Sequence, residues 1–510
     1  MYHRIVLLAF SIGSVPVLCR SQNADQYSGD AAHSFYRFTL EVVRTSEGST
    51  PPVAARMYGY MGLALYEAVR PGIPGRASLG PLLPDAPSFP EPTGGPDLHW
   101  PSVALHAMSI VLDSMYVQMI PAMRDSLYAL RNSFDAVHST QVPAMVFVRS
   151  VAHGQAVAQS VLDYARTDGR YGCQFDNFPG SYVPPAGPCL WVPEQGEPAL
   201  QPDWGNSRPF ILADTTTANL PPAAPACSDL PGSVLYDAAL QVYNVVNALT
   251  PQELTIAEYW NDVHITPPAH SLTMTAQVLR EENHDLATSV LALAQCGMAV
   301  SEAFIAGWRT KYRDNLLRPI TYVNLHIDPD WDPAVPTPPF PEYVSGHSTQ
   351  SHAWAHVMTD LLGPGFAFTD STHGGQFGGP RGFNSFEACA EEAAMSRIYG
   401  GIHYIFSDTL GASLGQRCAQ NTLDLFGSVA TAVHMNASSG TIGIRFDQEG
   451  RLLVPDEPSG LDIEVFDRAG RKLFRRSFQE AVSVSGLAPG LYLARLVDDL
   501  RSPLRFVIAP

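Results

Sequence analysis

Three short blocks between positions 311 and 403 hold residue types that can do chemistry together. Lys311 is followed by Arg318-Pro319, then comes Ser345-Gly346-His347, and Ser396-Arg397 with His403 closes the set. They supply three cations, a small hydroxyl beside a glycine, and two imidazoles. Arginine offers a planar fork of donors and lysine a compact charge, both suited to an oxyanion, while histidine changes charge near neutral pH. The chemistry indicated is a tetrahedral oxyanion held by charge, with one histidine bonding its central atom and the other moving protons. Ser345 and Gly346 fall where a proline-rich stretch meets a helix start, and helix N-terminal N–H groups and the helix dipole favour an anion there. Gly346 permits close backbone approach, and His347 is placed to pass protons to a bound oxygen. Each block alone has a plain reading: a basic helix face, a serine N-cap, a core histidine. Their joint order and spacing carry the site.

The elements that must position these blocks read mainly as α-helix. Lys311 and Arg318 are seven residues apart, two helical turns, so both are expected on one helix face, with Pro319 ending or kinking that helix. Gly400-Gly401 is expected to break a helix so that Arg397 and His403 face one point. Helical periodicity covers about 31–69, 101–133, 141–167, 233–248, 251–261, 271–295, 298–317, 347–362, 384–399 and 408–433. Residues 71–98 form a loop rich in Pro and Gly. Residues 168–230 form a long irregular excursion of the kind that often surrounds a site. Six prolines between Pro329 and Pro341 make 328–341 an extended connector. The last seventy residues change character. Segments starting at Thr441, Leu461, Lys472, Leu491 and Leu504 alternate apolar and polar, separated by Asp447-Gln-Glu-Gly450, Asp467-Arg-Ala-Gly470 and Pro489-Gly490 turns, and read as a small β-sandwich.

With 510 residues, 45% hydrophobic and 16% charged, the chain is globular and too long for one ordinary core. Acidic residues outnumber basic ones 49 to 31, a net charge of −18 that argues against general nucleic-acid binding. Cations that hold an anion must therefore be gathered locally. His3-Arg4, the apolar run Ile5 to Leu18 and the zone Cys19 to Gln22 read as a signal peptide over residues 1–21, hence an exported protein. No later run of about 18 uncharged apolar residues is present. In an exported protein, Cys173 and Cys189 could close a loop, while Cys296, Cys389 and Cys418 read as small core residues. The cysteines show no zinc-type spacing.

Lys-x6-Arg-Pro, Ser-Gly-His and Ser-Arg-x5-His together resemble the phosphatidic acid phosphatase type 2 and vanadium-haloperoxidase superfamily. The resemblance runs over roughly 50–430 and includes Pro52 to Arg70, Trp260-Asn-Asp262 with Thr266-Pro-Pro268, and Glu391 to His403. The haloperoxidase branch is the better likeness, because Trp308-Arg-Thr-Lys311 and Pro339-Phe340-Pro-Glu-Tyr343 are similar to its chloroperoxidase segments. The resemblance implies paired helical bundles over about 30–435 and a vanadate cofactor. Lys311, Arg318 and Arg397 would neutralise its oxygens, with Ser345 and the Gly346 N–H adding hydrogen bonds. His403 would be the ligand to the metal and His347 the acid–base residue, with Lys311 polarising the peroxide. Asp262 would pair with and orient Arg397, and Trp308 and Phe340 would line the halide approach, with Phe340 pointing toward chloride. The family often places an aspartate four residues after the second histidine; this chain has Ser407 there and Asp408 next, which leaves open what orients His403. The tail over 440–510 resembles the sorting domain of type IX secretion substrates, most clearly at Gly486-Leu-Ala-Pro-Gly-Leu-Tyr492, and implies the secretion machinery as a partner.

Two activities follow from this set of residues. One is a haloperoxidase that uses hydrogen peroxide to oxidise halide to hypohalous acid, which halogenates a small organic acceptor. The other is an exported acid phosphatase in which His403 attacks phosphorus, forming a phosphohistidine, while His347 protonates the leaving group. Vanadate and phosphate share charge and shape, and phosphate could occupy the same site, so the ligand residues alone do not separate them.

Overall fold

In the computed structural model the described residues are 22–430, apart from 96, 217–218 and 263–264, and short stretches between 444 and 508. The expected signal segment 1–21 and the tail turns at 447–450 and 468–470 lie outside them. The helices are α1 (Asp30–Thr45), α2 (Pro51–Val69), α3 (Trp100–Met115), α4 (Pro121–Gln141), α5 (Ala144–Ala165), α6 (Val234–Asn247), α7 (Pro251–Tyr259), α8 (Pro267–Glu281), α9 (Leu286–Asp314), α10 (Pro319–His326), α11 (Gly346–Leu362), α12 (Phe386–Tyr399) and α13 (Ile405–Ser428). Proline opens several of them, at Pro51, Pro121, Pro251, Pro267 and Pro319, where its missing N–H costs nothing. A short antiparallel pair, β1 (Phe368–Asp370) and β2 (Arg381–Phe383), sits between α11 and α12.

Helix α9 is the spine. It is long and apolar enough to cross a membrane by composition, yet most of it is buried inside the protein, and α2, α11 and α13 pack on it. Close approach depends on glycine: a Cβ on Gly297 would lie 2.5 Å from the Tyr58 carbonyl of α2, and one on Gly62 would lie 2.9 Å from Ala294 Cα. The same device joins α11 to α13, where a Cβ on Gly415 would fall 2.0 Å from the Thr349 carbonyl.

The helix expectations need three revisions. The single run expected over 31–69 is two helices, because Gly48 turns left-handed (φ 74°) before Pro51. Residues 101–133 likewise divide at Pro121. In the other direction, no break falls at 296–298: α9 continues through it, since Gly297 serves packing, and the real break lies at 282–285, where Asn283 is left-handed and Asp285 caps α9 by accepting from the Thr288 N–H.

The C-terminal strands are β3 (Ile444–Phe446), β4 (Leu452–Pro455), β5 (Asp462–Asp467), β6 (Lys472–Ser477), β7 (Val482–Ser483), β8 (Gly490–Leu496) and β9 (Leu504–Ile508). They form antiparallel sheets in the orders β3-β4-β7 and β6-β5-β8-β9. Among the described residues one disulfide is seen, and it is Cys189–Cys227, not Cys173–Cys189. Cys173 is instead buried beside the Arg56–Asp168 ion pair, whereas Cys189 and Cys227 both lie on the irregular excursion that runs past the end of α9. Cys296, Cys389 and Cys418 are buried in helices as expected.

Candidate active site

Lys311 and Arg318 reach one place from two different helices, not from one face. α9 stops at Asp314 because Asn315 adopts a left-handed cap (φ 47°), and Arg318 is the N-cap of α10, with Pro319 its first residue. Proline thus starts a new helix here. Lys311, in the last turn of α9, is buried and donates from Nζ to the carbonyls of Pro341 (3.1 Å) and Glu342 (2.9 Å). Arg318 donates from Nε to the Phe340 carbonyl (2.9 Å) and from Nη1 to the Ile402 carbonyl (2.8 Å). The extended connector therefore holds both cations by its backbone.

Ser345 caps α11, accepting from the Ser348 N–H, while its own N–H donates to the Ser407 carbonyl on α13. The glycine contact between α11 and α13 fixes this junction. A Cβ on Gly346 would meet Trp308 at 3.6 Å and Lys311 at 4.0 Å, which is ordinary contact distance, so the backbone here lies directly against the lysine stem. α12 ends at Tyr399, Gly401 turns left-handed (φ 77°), and Arg397 and His403 converge across that turn as expected. Arg397 donates to the Trp260 carbonyl at 2.9 Å.

His403 records the convergence. Its basicity is held well below the usual imidazole range by burial and by the charges of Arg318, Lys311, Arg397 and, more weakly, His347. So all three cations and both imidazoles from the sequence blocks surround one point. Burial also depresses the cations: Arg318 and Arg397 to about 10, and Lys311 well below its ordinary value, with Arg318 beside it adding repulsion. Nearby carboxyls offset this charge only in part. Burial pushes Glu342 up to about 7 and Asp408, which lies against the Ser345 hydroxyl, well above the usual carboxylate range. Arg318 Nη2 and Arg397 Nε are buried with no hydrogen-bond partner among the described residues. A cradle with excess positive charge and spare donors is complementary to a small oxyanion.

What orients His403 is Glu342, which sequence reasoning did not single out. Its Oε1 accepts from the Tyr404 N–H (3.0 Å) and lies 2.7 Å from His403 Nδ1, so Nδ1 carries the proton and Nε2 is left as an acceptor, 3.2 Å from Arg318 Nη1. The visible signal was an acidic residue three positions before Ser345 in a proline-rich strand. Asp408, next to the place where the family often has its aspartate, bears on Ser345 instead.

Asp262 also has partners different from those expected. It makes no hydrogen bond to Arg397, whose guanidinium is taken by the Trp260 carbonyl; its influence on Arg397 is through charge only. Asp262 Oδ1 accepts from His270 Nδ1 at 2.9 Å, and Oδ2 lies 3.6 Å from His347 Nε2. Asp262 thus faces His347. Burial and Arg397 lower His347 to about 4, with Asp262 opposing them. The Trp308 and Phe340 rings lie 5.0 Å apart, tilted by 45°, and Phe340 lies 5.0 Å from Lys311 Nζ and 4.8 Å from Arg318 Cζ, so both rings wall the cation cluster.

Comparison with known proteins identifies the fold that carries these residues. The model of the VCPO second helical-bundle domain matches residues 291–431, which contain every block. The crystal structure of the first bacterial vanadium-dependent iodoperoxidase is 31% identical with a TM-score of 0.68, covering 78% of this chain and 96% of that one. Structures of the apo and holo forms of a bacterial vanadium-dependent chloroperoxidase share the fold at 14% identity, with TM-scores of 0.58 and 0.55; they cover 75% of this chain and 96% and 93% of theirs. No curated protein sequence matches the chain. The chain belongs to the vanadium-dependent haloperoxidase family.

Proposed function

We infer that this protein is a vanadium-dependent haloperoxidase, which uses hydrogen peroxide to oxidise halide to hypohalous acid. The observation that carries the reading is the buried, over-positive cradle of Lys311, Arg318 and Arg397 around His403, whose Nε2 faces Arg318 Nη1 at 3.2 Å. These residues fit vanadate(V): three cations and the Ser345–Gly346 helix start for its oxygens, and an imidazole nitrogen for its metal. When bound, vanadate supplies a Lewis acid that activates peroxide without changing oxidation state. The chain's own contributions are then specific. Glu342 keeps His403 in the ligating tautomer. His347, lowered to about 4 and therefore neutral at ordinary pH, is ready to accept a peroxide proton and return it later. Asp262 steadies the imidazolium formed at that moment. Lys311 polarises the peroxide oxygen that the halide attacks. Trp308 and Phe340 keep water from the cation cluster.

The substrate halide we propose is iodide, supported by the 31% identity to an iodoperoxidase and by iodide being the halide easiest to oxidise. The organic acceptor is then a small electron-rich molecule that meets hypohalous acid near the entrance. We also propose that the chain is exported and that its tail engages type IX secretion machinery; the N-terminal sequence, the tail's strands and the Cys189–Cys227 disulfide support this. Parallel assays test the activity: peroxide with iodide, bromide or chloride against aryl phosphate hydrolysis, each with vanadate-loaded and chelator-treated protein. Vanadate-dependent iodide oxidation is expected. Hydrolysis of the ester without need of vanadium would establish the phosphatase.

A further inference from the structure

Beside the cation cradle lies a second buried polar cluster of opposite sign. His270, on α8, hydrogen-bonds at both ring nitrogens, to Asp262 Oδ1 (2.9 Å) and to Asp370 Oδ2 (2.8 Å). Asp370 is itself held by the Tyr259 hydroxyl and by the Thr372 N–H (2.9 Å), and the Trp260 ring stacks on His270 at 4.8 Å. Opposite His270, His373 points Nε2 at the same Asp262 Oδ1 from 3.5 Å. That distance is too long for a good N–H···O bond. It is, however, close to the separation of two ligands sharing one cation, about 3.4 Å for tetrahedral bonds of about 2.1 Å.

Four further observations point to a cation. One ligand-type atom from each of Asp262, His270 and His373 lies within 4.8 Å of the others. His373 Nε2 is buried without a hydrogen-bond partner among the described residues, on a side chain only 8% exposed. The Asp370 carboxylate behind His270 is the outer support that metal-bound imidazoles usually have. And Asp262 and His373 line a cavity of about 770 Å³, shared with Glu258 and Phe377, which gives entry and room for water to complete the coordination.

We propose that Asp262, His270 and His373 form a second metal centre, which takes one divalent cation of the zinc type at the wall of the cavity. Two imidazoles and one carboxylate suit zinc better than calcium or magnesium, which prefer all-oxygen sets. Three protein ligands leave an open position facing the cavity, and His373, borne on a glycine-rich loop, can close the last distance. The cation would replace the proton that His270 otherwise shares with Asp262. Sequence spacing does not advertise the site, because residue 373 is a hundred positions from its partners.

Zinc chloride titrated into the full, chelator-treated, vanadate-free chain tests this by calorimetry and by metal content after desalting. One zinc per chain is expected. His373→Ala, a change at the cavity rim, should weaken binding at least tenfold, and Asp370→Asn, which removes only the outer support, about ten- to a hundredfold. His403→Ala should leave zinc binding unchanged. No retained zinc overturns the proposal, as does zinc binding indifferent to both His373→Ala and Asp370→Asn, or zinc binding abolished by His403→Ala, which would place the ion in the anion cradle.

Discussion

The anion cradle and the Asp262–His270–Asp370 cluster are neighbours with opposite electrostatics. In the cradle burial pushes three cations down, with Arg318 repelling Lys311 and Arg397 repelling Arg318, and the two nearest carboxyls are themselves pushed up and so neutralise them only in part. In the cluster burial pushes the carboxyls of Asp262 and Asp370 up, but both are held below their usual range because His270, together with His347 and His373 on Asp262 and Tyr259 and Thr372 on Asp370, outweighs it. His347 stands between the two, 3.6 Å from Asp262 and within the field of Arg397. A buried group whose charge its surroundings oppose asks for an outside partner; one whose charge is matched locally holds its neighbours in place. The cradle is built to receive, the cluster largely to hold.

The largest effects should come from the cradle. His403→Ala removes the metal's nitrogen ligand and should abolish both vanadium retention and halide oxidation, read from metal content and triiodide formation. His347→Ala should keep vanadium and lower turnover by about 10²–10⁴, the usual contribution of an acid–base group. If the two variants behaved alike, the division between ligand and proton carrier would be wrong. Glu342→Gln should weaken vanadate binding about ten- to a hundredfold, because it loosens the tautomer and orientation of His403. Unchanged affinity would remove Glu342 from the account.

Glu342 also marks how far the sequence could be read. The cations and histidines declared themselves by type and order, and the helical class followed from periodicity. The carboxylate that orients His403 did not, because it is supplied from 61 positions away by a connector, where residue spacing carries no geometry. The same reason explains Arg318: seven residues look like two helical turns, but a left-handed Asn315 places a corner between the cations. Asp262 was recognised as part of the site, yet its partner was misjudged, since His270 and Asp370 lie on elements whose packing no local pattern reveals. Five of the tail strands, by contrast, overlap the alternating segments, because alternation is a local signal, whereas the short β4 and β7 carry too few residues to show it.

Smaller effects test the frame around both regions. Gly415→Ala on α13 should cost at least about 1–3 kcal/mol in thermal or denaturant unfolding, as its methyl meets the Thr349 carbonyl and moves the Ser345 helix start. Away from both regions, His33 is buried against the Ser289 hydroxyl (2.7 Å) and lowered by burial to about 4. The unfolded chain binds a proton there near pH 6.5 and the folded chain does not, so stability should fall as pH drops from about 6.5 toward 4. His33→Gln should flatten that part of the stability curve, by up to about 3 kcal/mol at its acid end. An unaltered slope would show that His33 does not contribute.

The central claim is that one vanadate in the buried cation cradle makes this chain a halide oxidase. Stepwise addition of orthovanadate to chelator-treated protein, with peroxide-dependent iodide oxidation followed at each step, addresses it most directly. The account predicts activity that rises in proportion to vanadate, levels at one per chain, and falls when phosphate competes. Activity already full before vanadate, or none at saturation, would contradict it.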